Sequence, residues 1–268
     1  MLSVNPTLPH SLVALHQNNN MRKITLLLTM ALSGLIAQAQ TSGTIQYVST
    51  RKLQINIQGD MPPPPGLPSE IKLNTVLYFN TEASLYKNAE NANDAMNVEQ
   101  EAEGGGQIIM HMAPPENIMY CDLTNKILTQ QRDFMQRKFL IESPIDGSGW
   151  KLTGKQKMVL NYPCMEAIRV DSIDTVSAWY TPVIPLSTGP LDYVGLPGMV
   201  MEVHVNNDME VITATAVSKE VDASQIKKPK DGKKVTQEEY DKIVEEKLKE
   251  MGVEPGPGGR VMIHIEND

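Results

Sequence analysis

Apolar and polar residues alternate in short runs along most of this chain. Leu53, Ile55 and Ile57 alternate with Lys52, Gln54, Asn56 and Gln58, the period-two pattern of a strand with one buried face. Asp60 to Gly66 then interrupts pairing with four consecutive prolines, none of which can donate a backbone hydrogen bond. Further strands are predicted over 75–79, 107–112, 117–122, 138–142, 156–161, 167–171 and 176–180. Turn residues such as Pro114-Pro115, Asp146-Gly147-Ser148-Gly149 and Pro163 fall between several of them. Residues 87–106 are rich in Asn, Ala, Glu and Gly with few large apolar side chains, which predicts a flexible surface loop.

The clearest hairpin starts at Met199. Met199, Met201, Val203 and Val205 fall on one face, and Val200, Glu202 and His204 on the other. Asn206-Asn207-Asp208 supplies a turn that tolerates left-handed backbone, and Met209 to Val217 returns as the partner strand. Just upstream, Pro197-Gly198 fits the central positions of a type II turn, with proline presetting φ and glycine accepting the positive φ that follows.

One helix interrupts the β pattern. Thr236 and Glu239 form a T-x-x-E capping box, Tyr240, Ile243, Val244, Leu248 and Met251 make one apolar face, and Gly252 ends the element. Val261, Ile263 and Ile265 alternate with Met262, His264 and Glu266 as a last strand. The fold class predicted is mainly β: a curved antiparallel sheet, meander or half-barrel, with one C-terminal amphipathic helix.

The N-terminal region reads differently. Met21-Arg22-Lys23 is a basic start, residues 24–36 are apolar, and Ala37-Gln38-Ala39 is a small-x-small cleavage site. That order is a secretory signal peptide at 21–39, preceded by an upstream polar segment, so residues 1–39 are set aside from fold reasoning. The remainder, 40–268, is expected to be a single exported β-rich domain in the periplasm or at the cell surface. The apolar stretch is short for a membrane span, so no integral membrane protein is expected.

Net charge is −8 with a pI near 5.2, which argues against nucleic acid and anionic membrane surfaces as partners. Both cysteines, Cys121 and Cys164, lie in the exported part. Three readings stand: a disulfide, two unpaired thiols, or soft metal ligands. A bridge would close about forty residues and stabilise by roughly 3–4 kcal/mol in the chain-entropy model.

Residues 195–200 read Gly195-Leu196-Pro197-Gly198-Met199-Val200. Upstream stand Leu140-Ile141, Trp150-Lys151-Leu152, Tyr162-Pro163-Cys164-Met165-Glu166-Ala167 and the run from Trp179 to Pro185. Together these resemble the GLPGLI family of exported bacterial proteins, with Met199-Val200 in place of Leu-Ile. The resemblance implies an exported protein and carries over no catalytic residue. The motif itself, Gly195, Leu196, Pro197 and Gly198, reads as structural.

No G-x-S-x-G elbow, H-E-x-x-H helix or phosphate-binding glycine loop is present. Cys164 with His204 and Glu202 with Glu210 are the pairs that acid–base or thiol chemistry could use, and neither is marked out by spacing. Trp150, Trp179 and Tyr180 either anchor the core or line a pocket. Methionine is the compositional excess, with thirteen of sixteen beyond residue 39. Met110, His111, Met112, Met119 and His264 are candidate copper ligands, since thioether and imidazole suit Cu(I). On a strand, however, Met110 and Met112 face away from His111, and methionine also fills gaps in cores poor in Phe. Two expectations follow. The first is an exported non-enzymatic binding or accessory protein of the cell envelope, its partner an envelope protein or an apolar small ligand. The second is a Met/His protein that handles copper. An apolar cavity lined by the helix face would favour the first.

Overall fold

The period-two stretches pair into one twelve-stranded sheet. The structure is a computed structural model that describes residues 40–52, 69–90, 92, 97–102, 106–111, 116–171, 174–251, 255–256 and 260–261. The strands are β1 (Gly43–Lys52), β2 (Glu70–Phe79), β3 (Ala83–Asn88), β4 (Asn97–Ala102), β5 (Gly106–His111) and β6 (Asn117–Asp122). They continue with β7 (Ile127–Phe134), β8 (Arg137–Pro144), β9 (Lys151–Val159), β10 (Tyr162–Val170), β11 (Thr175–Thr181), β12 (Met199–Val205) and β13 (Glu210–Ser218). After β14 (Lys233–Val235) comes the helix α1 (Gln237–Glu250), then the short β15 (Pro255–Gly256) and β16 (Arg260–Val261).

The strand order is β14-β8-β7-β6-β3-β2-β1-β13-β12-β11-β10-β9, so the sheet does not close. Two meanders, β6 to β8 and β9 to β13, meet through the first strand: β1 pairs with β2 on one side and with β13 on the other. All pairings in this sheet are antiparallel except β14 with β8, which is parallel and lies at the end nearer the helix. β4 pairs with β5, and β15 with β16, as separate two-stranded ribbons.

One core cluster runs through most of this sheet. Ile45, Tyr47, Leu77, Phe79, Ala167, Ala178, Met199, Met201, Val203 and Ile212 are all buried in it. The inward rows obey the alternation: in β12 Val203 and Val205 are buried while Glu202 and His204 are half-exposed. The start of β12 is buried on both faces, because the loop between β11 and β12 folds over it. The Met199 amide donates to the Ile184 carbonyl at 2.9 Å and the Val200 amide to the Thr188 carbonyl at 3.0 Å. Tyr47 ties the central strand to the same place, its hydroxyl donating to the Val200 carbonyl at 2.7 Å.

Several expectations are corrected. The span read as a loop at 87–106 contains the end of β3 and all of β4, whose pairing partner β5 supplies the hydrogen bonds its polar sequence does not advertise. The strand expected at 156–161 starts earlier, at Lys151, and stops at Val159, where Leu160 takes a φ of 53° and turns the chain. The strand read at 53–58 and most of the last strand, including His264, lie outside the described residues. The helix forms as read: Thr236 Oγ1 accepts from the Glu239 amide at 3.1 Å and Glu239 Oε2 accepts from the Thr236 amide at 2.9 Å. Gly252 lies outside the described residues; within them, the helix is capped at Met251.

Cys121 and Cys164 are free thiols, both buried. Six strands separate β6 from β10 in the sheet order, and each thiol has its own surroundings. Cys121 sits beside the Ser84 and Thr188 hydroxyls, whereas the Cys164 thiol lies 3.5 Å from the Tyr162 carbonyl. The disulfide reading is therefore replaced by two core thiols.

Candidate functional site

The signature segment is a packed structural loop. Ile184, Thr188, Val194 and Leu196 are buried, and the prolines fold the chain through tight three-residue turns. The Leu186 amide donates to the Ile184 carbonyl across Pro185, and the Gly198 amide to the Leu196 carbonyl across Pro197, each at 2.8 Å. These are γ-turns, for which the φ fixed by proline is suited. The type II turn expected at Pro197-Gly198 is thus not formed, and Gly198 is not among the positive-φ glycines. It is required for a different reason: a Cβ there would lie 2.3 Å from the Thr181 carbonyl oxygen. Gly195 does adopt a positive φ, 87°. Polar atoms buried by the loop are satisfied, as burial demands. Thr188 Oγ1 and Ser84 Oγ are 2.6 Å apart, and Trp150 Nε1 donates to the Val194 carbonyl at 2.9 Å.

The densest ionisable cluster lies on the half-exposed face of β9 to β12. Glu166, Trp179 and Glu202 are direct cross-strand neighbours on β10, β11 and β12. Lys157 Nζ lies 4.2 Å above the Trp179 ring and 2.5 Å from Glu202 Oε1. His204 is held at both nitrogens, Nε2 by Glu202 and Nδ1 by Asp208 at 2.6 Å. Glu166 accepts from Thr153 Oγ1 at 2.7 Å and Ser177 Oγ at 2.9 Å and pairs with Lys155.

Protonation follows from these contacts. Burial works to raise the Glu202 carboxyl, but hydrogen bonds from His204 and Lys157 outweigh it and hold it below the ordinary range. Burial likewise opposes the bonds from Thr153, Lys155 and Ser177 at Glu166, and the bonds win. The bond to Glu202 lifts His204 above its ordinary value, against desolvation and with help from Asp208. These contacts favour the charged form of each carboxylate, which meets a cation, and the protonated form of the imidazole. Glu210 bonds instead to Ser49 and Arg51, so the Glu202–Glu210 pair is not assembled. Nor is the Cys164–His204 pair: both imidazole nitrogens are engaged, and burial pushes the thiol to about 11. Trp150 and Tyr180 are core residues, while Trp179 is half-buried under Lys157, so the three do not line one pocket.

An apolar groove of about 430 Å³ lies on the other side of the sheet order, between α1 and the β7–β8 hairpin. Phe134, Phe139 and Ile243 give it aromatic and aliphatic walls, with Met135 and Met251 beside them and Arg137, Lys247 and Glu250 as its charged members. The helix seats here because the Tyr240 ring is met edge-on by Phe139 at 5.4 Å and Phe134 at 6.5 Å between ring centroids. The Arg132 guanidinium adds a cation–π contact to the same ring at 5.5 Å. The hairpin turn is unusual. Met135 and Gln136 have φ values of 50° and 61°, the double positive φ of a type I′ turn, where Asn-Gly is the favoured pair. Left-handed backbone at a bulky residue costs roughly 1–2 kcal/mol. The result places a methionine that is 43% exposed at the groove, whose lining also includes Met251 at 53%.

Of the candidate copper ligands, Met119 is buried in the core on β6. Met110 and His111 are adjacent on β5, and Met112 and His264 lie outside the described residues. Among the described residues no three His, Cys, Asp or Glu side chains converge as a metal site. The groove lining from the β7–β8 hairpin was not anticipated from the sequence; a Met-Gln turn carries no Gly, Asn or Pro to announce it. Among the described residues no helix is long and apolar enough to cross a membrane.

A family model described as "Protein of unknown function (Porph_ging)" matches residues 169–202, from the end of β10 through the signature into β12. No curated protein matches the chain. Among solved structures, PNGF-II in the P21 space group is similar with a TM-score of 0.50 at 16% identity, over 76% of this chain and 33% of that one. PNGF-II in the C2 space group gives 0.48 at 17% identity, over 76% and 32%. The chain thus spans about a third of the length of these solved structures, and the first likeness concerns the fold alone.

Proposed function

We propose that this chain is an exported, non-enzymatic binding or accessory protein of the cell envelope, of the GLPGLI type, that holds an apolar ligand in the groove beside α1. The groove carries the reading. Its volume is in the range of small-ligand sites, and it is lined mainly by apolar side chains with a few charged ones. The family match over 169–202 supports the GLPGLI assignment, since it includes the whole of Gly195–Val200. The basic, apolar and small-x-small order at 21–39 supports export to the periplasm or cell surface. The engagement of Glu166 by Thr153, Lys155 and Ser177, and of Glu202 and His204 by each other, Lys157 and Asp208, supports a structural role for this polar cluster. We read the sheet as curved about its core, as the register shifts at Gln46/Tyr47, Met165/Ala167 and Trp179/Tyr180 favour.

Native mass spectrometry of the protein purified from the envelope without chelators tests this. A mass excess of an apolar small molecule, lost when Phe139 is replaced by Asp, is the expected result. A copper-sized excess would instead favour the Met/His residues as the functional group. A bare mass at every preparation, with no uptake of added amphiphiles, overturns the ligand-binding reading.

A further inference from the structure

We infer that the groove beside α1 takes a single alkyl chain with an anionic head, and that Arg137 recognises the head while Met135 forms the lip over the chain. The inference rests on the binding reading above and adds the ligand class.

Three observations point to it. The first is charge. Of the groove's charged members, Lys247 is paired with Glu250 one helical turn on, so its charge is already met. Arg137, the first residue of β8, is exposed and has no ion-pair partner among the described residues. A guanidinium at the mouth of an apolar cleft is a fork of donors suited to a carboxylate or phosphate oxygen pair. The second is shape. Phe134 and Phe139 come from the two strands of one hairpin and Ile243 from the facing helix, so the site is a half-open groove between two elements. Such a groove suits a slender, unbranched chain.

The third is the lining itself. Met135, at a φ of 50° in the hairpin turn and 43% exposed, lines the groove together with Met251, which is 53% exposed. Two unbranched, adaptable thioethers on one groove are the kind of surface that conforms to an alkyl chain.

The test is NMR of the exported protein carrying 13C-methyl methionine, titrated with laurate, dodecanol or dodecyltrimethylammonium below their micelle concentrations. Met135 and Met251 report the groove, and the buried Met199 and Met201 report the core. Laurate is expected to shift the first pair and leave the second pair unmoved. Arg137→Gln is expected to weaken laurate about tenfold, the loss of one charge-assisted contact, while leaving dodecanol unchanged. Equal binding of laurate and dodecyltrimethylammonium, or no effect of Arg137→Gln, overturns the anionic-head assignment and leaves the groove reading standing. If no alkyl probe moves Met135 or Met251, both fall.

Discussion

Gly195 lies against Gly147 with no room for a side chain on either. A Cβ on Gly147 would come within 2.3 Å of the Gly195 carbonyl oxygen, and one on Gly195 within 2.7 Å of the Asp146 carbonyl oxygen. The contact locks the turn before β9 onto the signature loop, and Trp150 closes it with its bond to Val194. Gly195 also needs its positive φ. Gly195→Ala therefore meets two penalties and is expected to cost about 2–4 kcal/mol, with Gly147→Ala somewhat less. Urea unfolding of both variants measures it; a shift below 0.5 kcal/mol for Gly195→Ala, by that order-of-magnitude estimate, would mean the loops can separate freely.

Gly198 makes a sharper comparison. Its backbone is not left-handed, so a residue with a side chain is excluded only by the 2.3 Å approach to the Thr181 carbonyl and the 3.1 Å approach to the Tyr180 ring. Alanine and valine should both be harmful there, by about 1–3 kcal/mol or more, and Asn should give no relief. A left-handed site would behave differently, since Asn tolerates positive φ far better than Val. Melting temperatures of the three variants separate the two causes.

These glycines show how far the sequence could be read. Pro197-Gly198 announces a turn, and a turn forms; the need for glycine there comes from Thr181, seventeen positions away, which no local rule contains. β6 and β12 agree with the pattern because one face of each is apolar. β7 is not legible in the sequence because Gln130 and Gln131 are both buried in it, so the alternation is hidden by polar side chains inside. The helix was legible to its capping box, for Thr236 and Glu239 act locally. The groove it helps to form was not, since Phe134 and Phe139 reach Tyr240 across about a hundred residues of sequence. Cysteine count and compartment suggested a bridge, but spacing in sequence holds no distance in space.

The free thiols give a direct check. Both are buried, and burial raises each above the ordinary thiol range. The native protein should react slowly with a thiol reagent, and the protein unfolded without reductant should react at two thiols per chain. A chain that yields none until reductant is added contains the bridge after all.

The Glu202–His204 pair predicts a pH optimum for this part of the sheet. His204 is raised in the folded state, so its contribution is complete below its unfolded value of 6.5 and fades as pH rises through the folded one. Glu202 is lowered, so its contribution is complete above 4.5 and fades as pH falls through the folded value. Both are complete only between 4.5 and 6.5. The half-exposed position limits the effect to less than about 1 kcal/mol. His204→Gln should flatten the alkaline limb of a melting-temperature profile and leave the acid limb in place; an unchanged alkaline limb would remove His204 from the account.

Met135-Gln136 allows stability and binding to be moved in opposite directions. Replacing the pair with Asn-Gly puts the residues favoured by a type I′ turn where the backbone already needs them. Relief of the left-handed strain should stabilise the protein by about 1–2 kcal/mol. The same change removes the exposed thioether from the groove, where it stands with Met251 around Phe134 and Phe139. If Met135 is there for its side chain, alkyl-chain affinity falls as the melting temperature rises, which is the trade expected when strain is retained for function. If affinity is unchanged, the methionine is an accident of the turn and the groove works without its lip. If the double substitution destabilises, the turn draws on packing by Met135 that outweighs its backbone strain.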